Sequence, residues 1–308
     1  MVTNKVKLNE IVNLWLQNKK QFVKESTYAT YRMIIKNHVN SFFEDKVNIT
    51  EEELQEFVLK KLDGNLSEKT VKDIVIVIKM VLNFSIKRNF IDRYNFDITF
   101  PARSKKNIVE VLSKNDQKKL MNYLKSNFTF KNLGIIICLS TGLRIGELCA
   151  LTWGDIDLSN GILKINKTIQ RIYDIESDFK RTKLIIDEPK TKESNREIPL
   201  SNDIMKIVKP IIKLLNSDYY ILSNDIKPLE PRTYRNYFKN ILDILNIKYI
   251  KFHGLRHTFA TRCIESNADC KTVSVILGHA NINTTLNLYV HPNNDQKKIC
   301  IEKMLKNL

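Results

Sequence analysis

The chain has 308 residues, enough for two domains that each bury a core, and its 43% hydrophobic and 27% charged residues exclude a disordered protein. Fifty Lys and Arg against 34 Asp and Glu leave a net charge of +16. Self-repulsion of that size points to a polyanionic partner, nucleic acid first, although a lysine-rich solubilising surface would give the same balance.

The first hundred residues read as helices. Residues 6–16 carry Leu8, Val12, Leu14 and Trp15 at helical spacing, and residues 26–43 carry Tyr28, Tyr31, Ile34, Ile35 and Val39. Thr50 opens a third helix with Glu51, Glu52 and Glu53 in its first turn, where carboxylates are favourable. Ser67 or Thr70 opens a long fourth helix through Val71, Ile74, Ile78, Leu82 and Ile86. Between residues 95 and 111 the pattern breaks at Pro101, among Arg103, Lys105 and Lys106. This predicts a helical domain over residues 1–100 and a basic linker over 101–112.

A second domain over 113–308 starts with a helix that Ser113 caps, with Asp116 three residues on. A helix over 133–140, the sequence Thr141-Gly142-Leu143-Arg144 and a helix over 145–151 follow. From Gly161 the period shortens, and 162–166, 184–186 and 196–200 read as short strands, the last two joined by a turn at 191–195. Beyond Asp203 the chain returns to helix and loop. The fold class is therefore mainly α, with a small antiparallel β-sheet in the second domain. Five cysteines, odd in number and without a CxxC pair, give no zinc site and point to a reducing cytoplasm. The N-terminus lacks the apolar stretch of a signal peptide, and the longest apolar run, 133–139, is too short to span a bilayer. The expectation is a soluble cytoplasmic protein without a membrane role, a metal or a cofactor.

Candidate chemistry lies in the second domain. Arg144 stands where one helix breaks and the next begins, between flanking apolar residues, so its guanidinium emerges at a helix start that suits an anion; a salt bridge to Glu147 is the plainer alternative. His253 and Arg256, three apart, share a helix face and can both donate to one phosphate. His257 follows, and core packing suits it equally. His279 follows Gly278 in a loop before a helix that Thr284 and Thr285 can cap, and Tyr289 falls within that short helix, where an ordinary half-buried aromatic is the plainer reading. Lys190 and Lys192 flank Thr191 at a hairpin tip.

In chain order these are Arg, hairpin Lys, His-x-x-Arg, Gly-His and Tyr, carried by TGLRIGEL, PKTKESNREIPL, HGLRHTFAT and LGHANINTTLNLY. The order resembles the tyrosine recombinases, which include phage integrases and Xer recombinases, over nearly all of residues 113–291, and the helical first domain resembles their core-binding domain. The resemblance implies a site-specific recombinase that cuts DNA through a 3′-phosphotyrosyl link to Tyr289, without metal or ATP. Arg144 and Arg256 would clamp the phosphate, Lys190 (or Lys192) would protonate the leaving 5′ oxygen, and His253 and His279 would donate to the phosphate or assist proton movement. A type IB topoisomerase and a catalytically silent DNA-binding relative share much of this pattern.

The partner that the resemblance implies is double-stranded DNA at specific core sites, gripped by two basic domains. Expected phosphate contacts are Thr30, Lys36, Lys69, Thr70, Lys72 and Lys79 in the first domain, Arg103 in the linker, and Lys192, Arg232 and Arg235 in the second. An apolar stripe in the tail, Ile299, Ile301, Met304 and Leu305, either packs on its own domain or docks on a neighbour in a homo-tetramer on two sites. Accessory DNA-bending or directionality proteins are further partners of such enzymes. The helical unit starts by about Val6 and leaves no room before it for an arm-binding domain, which needs about 40 residues, so a simpler recombinase from a bacterium, phage or mobile element is expected.

Overall fold

A computed structural model describes residues 6–44, 46–92, 96–101, 109–174, 181–189, 192–289, 298, 301–302 and 304–305. The chain forms two compact units, Met1–Lys106 with Arg171–Lys183 and Asn107–Gln170 with Leu184–Leu308.

The first unit is helical: α1 (Leu8–Lys20), α2 (Glu25–Ile34), α3 (Asn40–Phe43), α4 (Glu51–Asp63) and α5 (Glu68–Lys87). A π-helical turn, Ile35–Val39, separates α2 from α3, so the single helix expected over 26–43 is interrupted. The buried residues Ile35, Val39 and Phe43 recur every four positions, a spacing that drifts by about 40° per step in an α-helix. The wider π turn absorbs the drift and keeps all three on the core. Thr50 and Glu53 form a reciprocal capping box at the start of α4. Ser67, rather than Thr70, caps α5 by accepting from the Thr70 amide. Trp15, Leu54, Ile74, Ile78 and Leu82 are buried together at the centre.

In the second unit α6 (Lys114–Ser126) and α7 (Phe130–Thr141) precede the short α8 (Ile145–Ala150). Helix α7 is apolar all round and buried over most of its length, so the run at 133–139 is the central helix of a core rather than a surface stripe. Strands β1 (Ile156–Asp157), β2 (Ile162–Ile165) and β5 (Arg196–Pro199) follow, together with β3 (Thr168–Tyr173) and β4 (Thr182–Asp187), of which residues 171–173 and 182–183 are counted with the first unit. They form a sheet in the order β1-β2-β5 and a separate pair, β3-β4.

This corrects the expected hairpin between 184–186 and 196–200. Strand β5 pairs antiparallel with β2 and sets the buried Ile198 against the buried Leu163, whereas β4 presents no buried residue and takes β3 as its partner. Lys192 opens a 3-10 turn, Lys192–Ser194, and is not at a hairpin tip. Helices α9 (Asn202–Ile212), α10 (Pro231–Ile244), α11 (His253–Glu265), α12 (Cys270–Leu277) and α13 (Asn283–Tyr289) complete the unit. Helix α11 packs on α7, α12 and α13, which brings the HGLRHTFAT segment against both the TGLRIGEL turn and the helix that carries Tyr289. No helix among the described residues is long and apolar enough to cross a membrane.

Candidate active site

Two glycines in the left-handed region anchor the site. Helix α7 ends at Gly142, with φ +67°, and α12 ends at Gly278, with φ +66°. A side chain at either would be strained by that backbone and would also collide, with Phe259 and Leu277 at Gly142 and with the Glu193 carbonyl at Gly278. Each glycine turns its carbonyl toward an arginine. Arg256 Nη1 donates to the Gly142 oxygen at 3.0 Å, and Arg144 Nη2 donates to the Gly278 oxygen at 3.0 Å.

Glu147 sits between Arg144 and a third arginine, Arg196. Its carboxylate accepts from Arg144 Nη1 at 2.8 Å and from the Arg144 backbone amide, and on its other side from Arg196 Nη2 at 3.0 Å. Arg196, reaching in from β5, also donates to the Ile276 carbonyl at 2.6 Å and so ties the sheet to the end of α12. Burial alone would raise the Glu147 carboxyl, but hydrogen bonds and charge from Arg196, then the charge of Arg144, outweigh it and hold the group below the usual carboxylate range.

Arg256 is 1% exposed, and burial followed by repulsion from Arg144 draws its guanidinium down to about 9. Its Nε has no hydrogen-bond partner among the described residues. Arg144, by contrast, keeps about a third of its side chain in solvent. The pocket is thus rich in donors and short of negative charge.

The imidazoles surround these arginines. Burial of the ring, then His257, Arg256 and Arg144 beside it, draws His253 down to about 4, although the residue keeps an exposed edge. His279 is held near 4 by burial and by Arg256 and Arg144, and its Nδ1 lies 2.8 Å from the Thr285 hydroxyl. Thr285 is therefore buried as the partner of His279 and does not cap α13, as the sequence suggested. Tyr289 ends α13 and is 7% exposed, packed with Ala260, Val273 and Leu277. Its hydroxyl lies 2.6 Å from His257 Nδ1. Burial raises its pKa, and the charge of Arg256 offsets part of the rise.

Arg144, His253, Arg256, His279 and Tyr289 thus come together around one point. Lys190 lies outside the described residues, as does Arg103. Three participants went unassigned from sequence. His257 looked equally suited to a core, and Glu147 appeared only as a salt-bridge alternative for Arg144. Arg196 carried one usable signal: it shares a strand face with the buried Ile198, and an arginine on an inward face needs an anion behind it.

The expected DNA contacts whose side chains are described lie at or near the surface; the Lys192 side chain is not among them. Thr30, Lys36, Lys69, Thr70 and Lys72 are exposed, although Lys72 pairs with Glu68 at 2.5 Å and Thr70 shares a hydrogen bond with Ser67. Lys79 is half-buried and donates to the Phe96 carbonyl at 3.1 Å. Arg232 and Arg235 are exposed on α10.

Comparison with known proteins identifies the family. The chain is 27% identical to a XerC-like tyrosine recombinase of Caldanaerobacter subterraneus, over 97% of this chain and 83% of that protein. It is 26% identical to the transposase of transposon Tn916 from Enterococcus faecalis, over 84% of this chain and 67% of that one. In fold it is similar to the Tn1549 transposon integrase in complex with transposon right end DNA, with a TM-score of 0.77 at 21% identity over 97% of this chain and 100% of that one. It is also similar to a lambda integrase tetramer bound to a Holliday junction, with a TM-score of 0.67 at 19% identity over 94% and 80%. Residues 7–62 match the phage integrase N-terminal SAM-like domain, and residues 110–296 match the phage integrase family. The chain belongs to the phage integrase family, the tyrosine recombinases.

Proposed function

We propose that the protein is a site-specific recombinase that cuts and rejoins double-stranded DNA through a 3′-phosphotyrosyl intermediate at Tyr289. The observation that carries this reading is the convergence of Arg144 and Arg256 with His253, His279 and Tyr289 in one donor-rich pocket. Tyr289 attacks the scissile phosphate. Arg144 and Arg256 hold the non-bridging oxygens and stabilise the charge that builds there, a task suited to planar guanidiniums. His279 and His253, uncharged at neutral pH, donate to the phosphate. Lys190 protonates the leaving 5′ oxygen. The phosphotyrosyl bond conserves the energy of the phosphodiester, so the exchange needs no ATP.

Exposed side chains on the first unit, with Arg232, Arg235 and Lys192 on the second, position the duplex through its phosphates. The tail docks on a neighbouring protomer in a tetramer that joins two sites. Ile301, Met304 and Leu305, each more than half exposed at helical spacing, support this. The enzyme works in the cytoplasm, where its free Cys138, Cys149, Cys263 and Cys270 stay reduced.

The test uses a supercoiled plasmid carrying two copies of the protein's own site, incubated with EDTA and without ATP. Inverted or excised product is expected. Relaxation of plasmids that lack the site, with no exchange on those that carry it, would mark a nicking-closing enzyme instead.

A further inference from the structure

His257 stands beside the family's active-site pattern rather than within it. It follows Arg256 on α11, and its Nδ1 lies 2.6 Å from the Tyr289 hydroxyl. The two rings are 5.7 Å apart at 53°. Among the described residues, no other imidazole reaches that hydroxyl: the His279 ring is bound to Thr285, and His253 meets His257 edge-on at 4.6 Å. With the imidazole proton on Nε2, the phenol donates and Nδ1 accepts, which aims the nucleophile's proton at a base.

We propose that His257 is the proton acceptor for Tyr289 in strand cleavage and the donor that releases it in religation. The proposal rests on reading Tyr289 as the nucleophile. In cleavage the O–H bond of Tyr289 breaks, its proton passes to His257 Nδ1, and the phenol oxygen bonds to phosphorus. The P–O5′ bond breaks, and the 5′ oxygen takes a proton from the Lys190 ammonium. In religation an incoming 5′-hydroxyl bonds to phosphorus and gives its proton to the lysine amine. The P–O bond to Tyr289 then breaks, and His257 returns its proton to the tyrosine oxygen.

The electrostatics fit these roles. Burial raises the Tyr289 phenol, so it keeps its proton at neutral pH and needs a base. Burial, then Arg256, lowers His257, so its ring is neutral there and can accept. Burial within the Ala260, Val273 and Leu277 cluster fixes the phenol against that one nitrogen.

The test uses a nicked suicide duplex carrying the site that the wild-type protein selects from random DNA. His257→Asn places an amide oxygen near the position of Nδ1, so it keeps the hydrogen bond but cannot take the proton. It should bind the duplex normally and form the covalent complex roughly 100-fold or more slowly. On a duplex with a 5′-bridging sulfur, whose thiolate leaves without a proton, the His257→Asn defect should persist while that of Lys190→Ala is relieved. Added imidazole should restore part of the rate of His257→Ala. Cleavage by His257→Asn within about 3-fold of wild type overturns the proposal, as does a slow His257→Ala beside a normal His257→Asn, which would make the contact one of position only. Should His257→Ala fail to fold, His257→Asn still decides. Failure of wild type to trap, or trapping by Tyr289→Phe, overturns the reading of Tyr289 itself and is told apart by those two controls.

Discussion

Arg256 donates to the carbonyl of Gly142 at 3.0 Å, and the left-handed turn at Gly142 aims that carbonyl back at the arginine. One nitrogen of the guanidinium is thereby spent on fixing the plane of the others. Arg256→Lys keeps a charge but offers no such fork, and should slow covalent-complex formation by roughly 10²–10³-fold with binding little changed. Arg256→Ala should in addition leave the Gly142 oxygen unpaired, at about 1–3 kcal/mol of stability, read from urea midpoints.

Gly278 and Gly161 share a positive φ but not a setting. A Cβ at Gly278 would stand 2.9 Å from the Glu193 carbonyl and 3.1 Å from the Arg196 side chain, whereas at Gly161 it would meet only the end of Met205 at 4.0 Å. Gly161→Ala should therefore lose about 1–2 kcal/mol, from backbone conformation alone. Gly278→Ala should lose more in thermal denaturation, and it should cut cleavage as well, because Arg144 is seated on that carbonyl.

The buried Glu147 is the one carboxylate between Arg144 and Arg196, among the described residues. Glu147→Ala, which strands Arg196 without its anion, should destabilise the protein by about 3–5 kcal/mol in chemical denaturation. Acid should act through the same pocket. His253 and His279 have folded pKa values of about 4 against 6.5 unfolded, so as pH falls from 6.5 toward 4 the unfolded chain binds protons that the folded chain does not, and stability declines. The depressed Glu147 carboxyl adds stability above pH 4.5 that is lost as pH falls through its folded value. Urea midpoints between pH 7 and 4 should fall steadily, less so for His279→Gln.

Much of this was legible in the sequence because the local rules and the fold agree. Helical periodicity located α1 and α5, an unbroken apolar run marked α7, and the caps at Thr50, Ser67 and Ser113 stand where their side chains indicate. The order Arg144, His253-x-x-Arg256, His279, Tyr289 pointed to a single phosphate site. What stayed hidden depends on partners far apart in the chain. Strand β4 carries Leu184, Ile185 and Ile186 in a row, a run that marks no inward face and could pair with either neighbour, and the match of Ile198 to Leu163 sets β5 beside β2. His257 gains its meaning from Tyr289, 32 positions away, and the arginines from the carbonyls of Gly142 and Gly278. The π turn at Ile35–Val39 reflects a spacing of four that the helical pattern tolerates without announcing.

Salt should separate the proposed phosphate contacts. With a net charge of +16 the protein should bind DNA with a steep dependence on salt. Lys69→Ala should lower the slope of log K against log[salt] by about 1 and weaken all sequences alike. Lys79→Ala should change the slope less, because that ammonium already donates to the Phe96 carbonyl. Binding isotherms at several salt concentrations, on the selected site and on an unrelated duplex, measure both.

The central claim is that Tyr289 joins to DNA, and mass spectrometry of the trapped complex tests it most directly. After nuclease and protease digestion of wild-type protein held on the suicide duplex, a nucleotide should be found on the peptide ending α13, bonded to Tyr289, with none on Tyr289→Phe. A nucleotide on any other residue, or a covalent complex that survives Tyr289→Phe, would contradict the account.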